Sequence, residues 1–344
     1  MKNILKKTMA LVCATACAIG CMTGCVFIKD SGKESGNDAL KDITVYMPDG
    51  APALALAQLM HEDTKEDGVE YYVTKADAIA SKVSYEDATK NADFCVMPLN
   101  LAAKNAKVQA NYVMLGSVTN GNLYMISKTE TQYTAENLSS LIGKTVGVLQ
   151  INNVPGLTFK TVLNNSNVAW TELKNTDEAV ADKVNLVALA DASAVATTEA
   201  DCFVIAEPAV TAQVAKNGFH IVGDLQALYG GENGYPQAVL VANKDFVKAN
   251  GNQVKDFINK VTNASEWLKT ATGEQIVTAI NSHLDETLGE TSLKAPLLTA
   301  ATLARCGVKY IPSADCQSAA VKLLNEYIKI NPNAATIPQD GFFN

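Results

Sequence analysis

Two short polar stretches hold the residues best suited to chemistry in this 344-residue chain. The first is Asp49-Gly50-Ala51, followed at once by Pro52. The second is Gln150-Ile151-Asn152-Asn153, followed by Val154-Pro155-Gly156. A carboxylate accepts hydrogen bonds, and a side-chain amide both donates and accepts them. Together these groups suit recognition of a small molecule better than bond-making. Asn100 and Glu207 extend the set, each at the end of an apolar strand pattern beside a proline, Pro98 or Pro208. An acid at the end of such a run must find water or a partner. Asn120, in Thr119-Asn120-Gly121-Asn122, either closes an ordinary tight turn or faces the same site. Tyr46, Tyr124 and Tyr235 are the candidates for apolar contact, with Tyr235 counted among the site residues. No Ser/His/Asp set, paired-histidine metal spacing or Gly-x-x-x-x-Gly-Lys phosphate loop appears. His61, His220 and His283 lie scattered in helix or strand patterns, as structural histidines do. Neither a cofactor nor a metal is expected.

The elements that must position these groups can be read around each stretch. Ile43, Val45 and Met47 fill one face of a strand, and an alanine-rich helical pattern runs from Pro52 to Met60. Proline suits the first helical turn, where its missing N–H would be unpaired anyway. Thr145 to Leu149 repeat the strand, and Pro155-Gly156 opens a second helix. Each unit is followed about fifty residues later by an Ala-Asp strand with a proline loop, ADFCVMPLNLAAKNA from Ala92 and ADCFVIAEPAVTAQVA from Ala200. Two lobes of similar build are the natural reading. In an open α/β sheet the crevice beyond the carboxyl ends of the strands receives the ligand. Asp49 can also cap the helix beginning near Pro52, and Asn152 or Asn153 the one before Pro155; capping and ligand contact are compatible.

Composition limits the partners. Hydrophobic residues make up 48% of the chain and charged ones 19%, a globular balance, and the mean hydropathy is +0.04. Aromatic residues are only 6%, and the formal charge of −8 falls to −11 without Lys2, Lys6 and Lys7 of the first 24 residues. That is a poor nucleic-acid binder. Arg305 is the only arginine, so a guanidinium clamp on an anion is confined to one position.

Residues 1–24 combine a basic start with an apolar run from Met9 to Ile19, too short to span a bilayer and typical of an export signal. The run ends in Met22-Thr23-Gly24-Cys25, which resembles the lipidation site of a bacterial lipoprotein; Cys25 is the choice and Cys21 the alternative. Residues 25–41 are polar and read as a flexible tether. Lobe one is expected over 42–126, lobe two over 127–238, and a return strand with C-terminal helices over 239–344. The late helices are expected at Gln253–Lys269, Glu274–Leu288, Leu293–Arg305 and Ser313–Ile330 from apolar spacings of three and four. Cys95 and Cys202 fall inside strands as buried thiols. Cys306 and Cys316 either close a small disulfide loop or remain free.

The stretches VYMPDGAPALALA, LIGKTVGVLQINNVPGLTF, ADCFVIAEPAV, YPQAVLVANKDFV and IPQDGFFN, with the lipoprotein-like Met22–Cys25, resemble substrate-binding lipoproteins of ABC importers. The similarity is to the branch that handles nitrate, sulfonates and thiamine-precursor pyrimidines. It covers most of Asp42 to Asn344. The resemblance implies a two-lobe α/β fold of the type II periplasmic-binding-protein kind, with the helical C-terminal part packing on lobe one. It further implies a small-molecule ligand held between the lobes, hinge closure, delivery to the transmembrane subunits of an ABC permease, and an extracytoplasmic location with a lipid anchor on the membrane. Helix starts near each loop would each contribute about 0.3–1 kcal/mol toward an anion. Asp49 and Glu207 would repel one, so a neutral ring with amide-like edges fits better. A micromolar Kd requires about 8 kcal/mol, so apolar contact must add to the hydrogen bonds. The chain is read as a binder and not an enzyme. The alternatives are an exported ligand sensor without a transport role, or an enzyme of the same fold acting on a pyrimidine-type metabolite.

Overall fold

The computed structural model describes residues 43–64, 68–174, 177–230 and 234–344. The signal, Cys21, Cys25, the tether and the Gly231-Glu232-Asn233 part of the glycine loop lie outside the described residues. Among those described, no helix is long and apolar enough to cross a membrane.

Among the described residues, twelve strands form two sheets. Chain order begins with β1 (Ile43–Pro48), β2 (Val69–Thr74), β3 (Phe94–Pro98) and β4 (Tyr112–Thr119). Next come β5 (Leu123–Ser127), β6 (Thr145–Leu149), β7 (Trp170–Glu172), β8 (Val184–Leu189), β9 (Cys202–Ala206) and β10 (His220–Asp224). The chain ends its strands with β11 (Ala238–Asn243) and β12 (Val308–Pro312). The first sheet has the order β12-β4-β11-β3-β1-β2 and the second β10-β5-β9-β6-β8-β7.

The two halves share a local plan. In the first sheet β1 lies between parallel neighbours β2 and β3, and β11 then pairs antiparallel with β3. In the second, β6 lies between parallel β8 and β9, and β5 pairs antiparallel with β9. Each central strand, β1 or β6, therefore ends at one of the two polar loops picked out in the sequence. Buried strands read as continuous apolar runs because both faces are covered, and all eight residues of β4 are buried.

The antiparallel strand of each half is supplied from the other half. The chain leaves the first sheet at Thr119 and joins the second at Leu123, earlier than the 126/127 boundary expected, because Leu123–Ser127 pairs with Cys202–Ala206. It returns just before Ala238, whose N–H donates to Thr119 Oγ1 at 3.1 Å, while the Gln237 N–H donates to the Thr119 carbonyl at 2.9 Å. The two crossings thus run side by side as a hydrogen-bonded pair. Its tightness explains Gly121, Gly234 and Gly307, all at positive φ (88°, 72° and 64°). A Cβ on Gly234 would lie 2.0 Å from the Asn120 carbonyl oxygen, and one on Gly307 would lie 2.1 Å from that of Gly121.

Helices Gly251–Trp267 and Gly273–Asn281 cover the first sheet through Val254, Phe257, Val261, Ile276 and Ile280, with Phe257 stacked on Phe94 at 4.2 Å between ring centroids. Ser313–Ile330 lies along β4 and also reaches helix Val154–Asn165 of the second half, where the Thr158 and Tyr327 hydroxyls are 2.6 Å apart. The expected helix over Leu293–Arg305 is broken: Pro296 sits in a single 3₁₀ turn, Ala295–Leu297, and a helix begins only at Ala300, capped by Thr299. The sheet pattern also continues past Asn243, since Val308–Pro312 adds an edge strand to β4. Cys95, Cys202, Cys306 and Cys316 are all free and buried. Burial pushes the Cys202 and Cys306 thiols up to about 12.

Candidate ligand-binding cleft

A cavity of about 1050 Å³ opens between the two sheets, at the upper end of the range usual for small-molecule sites. Both polar loops line it. From the first half come Asp49, Gly50, Ala51 and Asn100; from the second come Gln150, Asn152, Asn153 and Glu207.

Loop one is built around Gly50, which has φ 98° and no atom near its missing side chain, so the turn selects glycine for its backbone and not for space. The helix that follows spans only Ala51–Leu54, with Pro52 in its first turn. Four aligned peptide units contribute little dipole, so the anion-holding power expected of this loop is small. Asp49 does not cap that helix. Its carboxylate accepts from the Thr291 hydroxyl and from the Ser292 N–H at 2.8 Å, tying loop one to the C-terminal part of the chain.

Loop two differs. Helix Val154–Asn165 begins after Asn153, which makes no side-chain cap. Gln150 stands at φ 44°, and Gln150, Asn152 and Asn153 are exposed at the cavity with no side-chain hydrogen bond among the described residues. The loop is held from beneath. Lys160, only 1% exposed, donates from Nζ to the Ile151 carbonyl at 2.9 Å and to Glu172 Oε1 at 2.6 Å. Gly156 is required because a Cβ there would lie 2.1 Å from the Ile151 carbonyl oxygen.

Glu207 borders the cavity but is 2% exposed and fully engaged. Oε1 accepts from Arg305 Nε at 2.6 Å and from Thr211 Oγ1 at 2.9 Å, and Oε2 accepts from the Thr211 N–H at 3.0 Å. The only arginine is thereby committed to an ion pair between the second half and the C-terminal segment of the first. Asn100 is also partly committed, its Nδ2 donating to the Ala334 carbonyl at 3.3 Å.

Two expected residues lie away from the cleft lining. Asn120 turns inward: its Oδ1 accepts from Ser117 Oγ at 2.6 Å and its Nδ2 donates to the Lys309 carbonyl at 2.7 Å, which fastens β12 to the crossing. Tyr235 is 1% exposed, stacks edge-on with Tyr229, and donates to Gln226 Oε1 at 3.1 Å. Burial raises its pKa well above the phenol range. Tyr46 and Tyr124 are likewise absent from the cavity lining.

The lining also includes residues not singled out from the sequence: Thr119, Asn122 and Gln237 at the two crossings, Lys104, Lys216 and Lys294, and the Asn331 and Asn333 turn. Asn122 and Asn120 belong to one polar turn, so the turn itself was visible and only the choice between its asparagines was not. Asn331-Pro332-Asn333 is an ordinary turn signal, with nothing local to tie it to a site. Three lysines and three acids (Asp49, Asp77, Glu207) line the cavity, so its walls carry no large net charge.

The sequence profile of the NMT1/THI5-like family matches residues 66–271. The chain belongs to this family. No curated protein matches it. Among solved structures, an ABC transporter protein from Parabacteroides distasonis superposes with a TM-score of 0.66 at 16% identity, over 88% of this chain and 98% of the other. The aliphatic sulphonate binding protein SsuA from Escherichia coli gives 0.56 at 17%, over 86% and 92%. SsuA from Xanthomonas axonopodis pv. citri, an alkanesulfonate-binding protein bound to MOPS, gives 0.55 at 13%, over 88% and 96%. A DSZB mutant in complex with biphenyl-2-sulfinic acid gives 0.54 at 13%, over 86% and 97%. At these identities the likeness shows the fold alone, a mixed α/β chain built on two sheets.

Proposed function

We propose that this protein is an extracytoplasmic solute-binding lipoprotein that captures a small organic molecule between its lobes and delivers it to an ABC permease. The observation that carries this reading is the cleft itself: a cavity of about 1050 Å³ walled by loops from both sheets and floored by two adjacent chain crossings. A ligand that touches both walls favours the closed arrangement by its differential contacts, and a paired crossing is where such a hinge turns. The lobes in this reading are 43–121 with 238–344, and 122–237. Export and lipidation rest on the sequence of the first 25 residues, with Cys25 as the acylated cysteine.

The test of capture is a thermal-shift screen of the protein against sulfonates, small anions, amides, nucleobases and vitamin-like heterocycles. A ligand at 100 times its Kd adds about 2.7 kcal/mol to the stability. Gln150→Ala and Asn153→Ala, whose side chains carry no structural bonds, should weaken the hit without lowering the ligand-free melting temperature. A hit unaffected by either substitution would place the site elsewhere. Incubation of the hit with the protein and recovery of unaltered ligand separates capture from turnover. Loss of uptake on deletion of the gene, with the cognate permease intact, separates transport from sensing. Acyl labelling that survives Cys21→Ala and is lost in Cys25→Ala identifies the anchor.

A further inference from the structure

The floor of the cleft contains one residue whose hydrogen-bonding account does not close. Asn122 is 3% exposed and lines the cavity. Its N–H donates to Gln237 Oε1 at 3.2 Å, its carbonyl accepts from the Glu207 N–H at 2.9 Å, and its Nδ2 donates to the Glu207 carbonyl at 3.1 Å. Its last polar atom, Oδ1, is buried and meets no donor among the described residues. The amide cannot be turned over to exchange roles, because Oδ1 would then face the Glu207 carbonyl oxygen. A buried acceptor left in this way is costly, and a ligand that supplies a donor recovers that cost.

From this arrangement we infer that Asn122 is a specificity-determining residue and that the ligand inserts an N–H or O–H donor toward the hinge. The inference rests on the capture reading and narrows its ligand class. A bare oxyanion, rich in acceptors and without donors, would bring oxygen against the Asn122 Oδ1. The arginine that could compensate is already bound to Glu207. Gln237 sharpens the choice: it lines the same cavity, its Oε1 is used by the Asn122 N–H, and its Nε2 meets no acceptor among the described residues. The hinge floor therefore offers both an acceptor and a donor, which suits a ligand carrying an N–H and a matching acceptor, as amides, ureas and amidines do. Because Asn122 lies on one crossing and Gln237 on the other, a ligand seated on both also bridges the two strands on which the lobes turn.

The experiment compares matched probes on the purified protein by calorimetric titration: imidazolidinone and its N,N′-dimethyl derivative, benzamide and N,N-dimethylbenzamide, with ethanesulfonate and nitrate as donor-free anions. Each is measured on the wild type, Asn122→Ala, and Asn122→Ser, whose hydroxyl can still donate to the Glu207 carbonyl and protects the fold. The expected result is that methylation weakens binding to the wild type about 10- to 100-fold, and that both substitutions remove this difference. Equal binding of methylated and unmethylated probes by the wild type overturns the inference. So does an anion that binds most tightly and is unaffected by Asn122→Ala. If an anion is the only binder and Asn153→Ala abolishes it, capture stands and the donor assignment falls. If no probe binds the wild type, the donor assignment falls, and the broad ligand screen decides capture separately.

Discussion

Removing the Arg305 guanidinium should destabilise the protein far more than removing any exposed lysine. The pair joins the C-terminal segment of one half to the end of β9 in the other, with Nε 2.6 Å from Glu207 Oε1 and Nη2 2.8 Å from Thr211 Oγ1. Thr302 and Thr211 hydroxyls at 3.3 Å add to the same contact. The Glu207 side chain is 0% exposed and that of Arg305 29%. Truncating one partner of a fully buried pair costs about 3–5 kcal/mol, because the other charge is left behind. Partial access of water to Arg305 lowers this, and Thr211 still serves both carboxylate oxygens, so Arg305→Met should cost about 2–3 kcal/mol. At about 2.1 cal/mol/K of unfolding entropy per residue over about 300 folded residues, that is a fall of roughly 3–5 °C in Tm. The control is Lys269→Met, which removes a pair with Glu266 whose side chains are 66% and 69% exposed and should cost no more than about 0.5 kcal/mol. Urea unfolding of the wild type, Arg305→Met, Glu207→Gln and the double variant gives the coupling energy directly. An Arg305→Met stability within about 0.5 kcal/mol of the wild type would refute the claim that this pair joins the two halves.

Three further outcomes are expected. Lys160→Met should cost about 1–3 kcal/mol in urea unfolding, since the Ile151 carbonyl loses its buried donor, and should weaken any cleft ligand without touching it; unchanged affinity would show that the loop holds its shape alone. Asp285 should give the protein an acid-sensitive component: burial raises its pKa, but bonds from Thr287, Lys82 and Thr74 outweigh this and hold it below the usual carboxylate value. Its contribution is therefore complete above about pH 4 and is lost as pH falls through the depressed folded value, so Asp285→Asn should flatten the acid limb of a stability-against-pH curve. Cys95, Cys202, Cys306 and Cys316 should resist iodoacetamide at about pH 8 in the folded protein and react fully in urea, as read by peptide mass mapping; rapid native labelling of Cys202 or Cys306 would contradict thiols pushed up to about 12.

How much of the site was legible in the sequence depended on the range of the interaction involved. The two strand-loop-helix units were readable because strand alternation, Pro52 and Pro155 are local signals, and both loops do reach one cavity. The fate of individual side chains was not readable. Asp49 finds its partners at Thr291 and Ser292, 242 and 243 residues away; Glu207 finds Arg305, and Asn120 finds Lys309. In each case a polar residue that looked available is used by the C-terminal segment, whose edge strand Val308–Pro312 and broken helix before Arg305 had weak local patterns. Tyr235 failed for the opposite reason, since an aromatic ring beside a glycine-rich loop looks the same in sequence whether it turns to a ligand or to Tyr229. What remains free after these long-range bonds is unevenly divided. Loop two keeps Gln150, Asn152 and Asn153, the hinge keeps Asn122 Oδ1, and loop one keeps little beyond its backbone and shape. Substitutions in loop two and at the hinge should therefore change which ligand binds, whereas substitutions at Asp49 should chiefly change how firmly the first half is assembled.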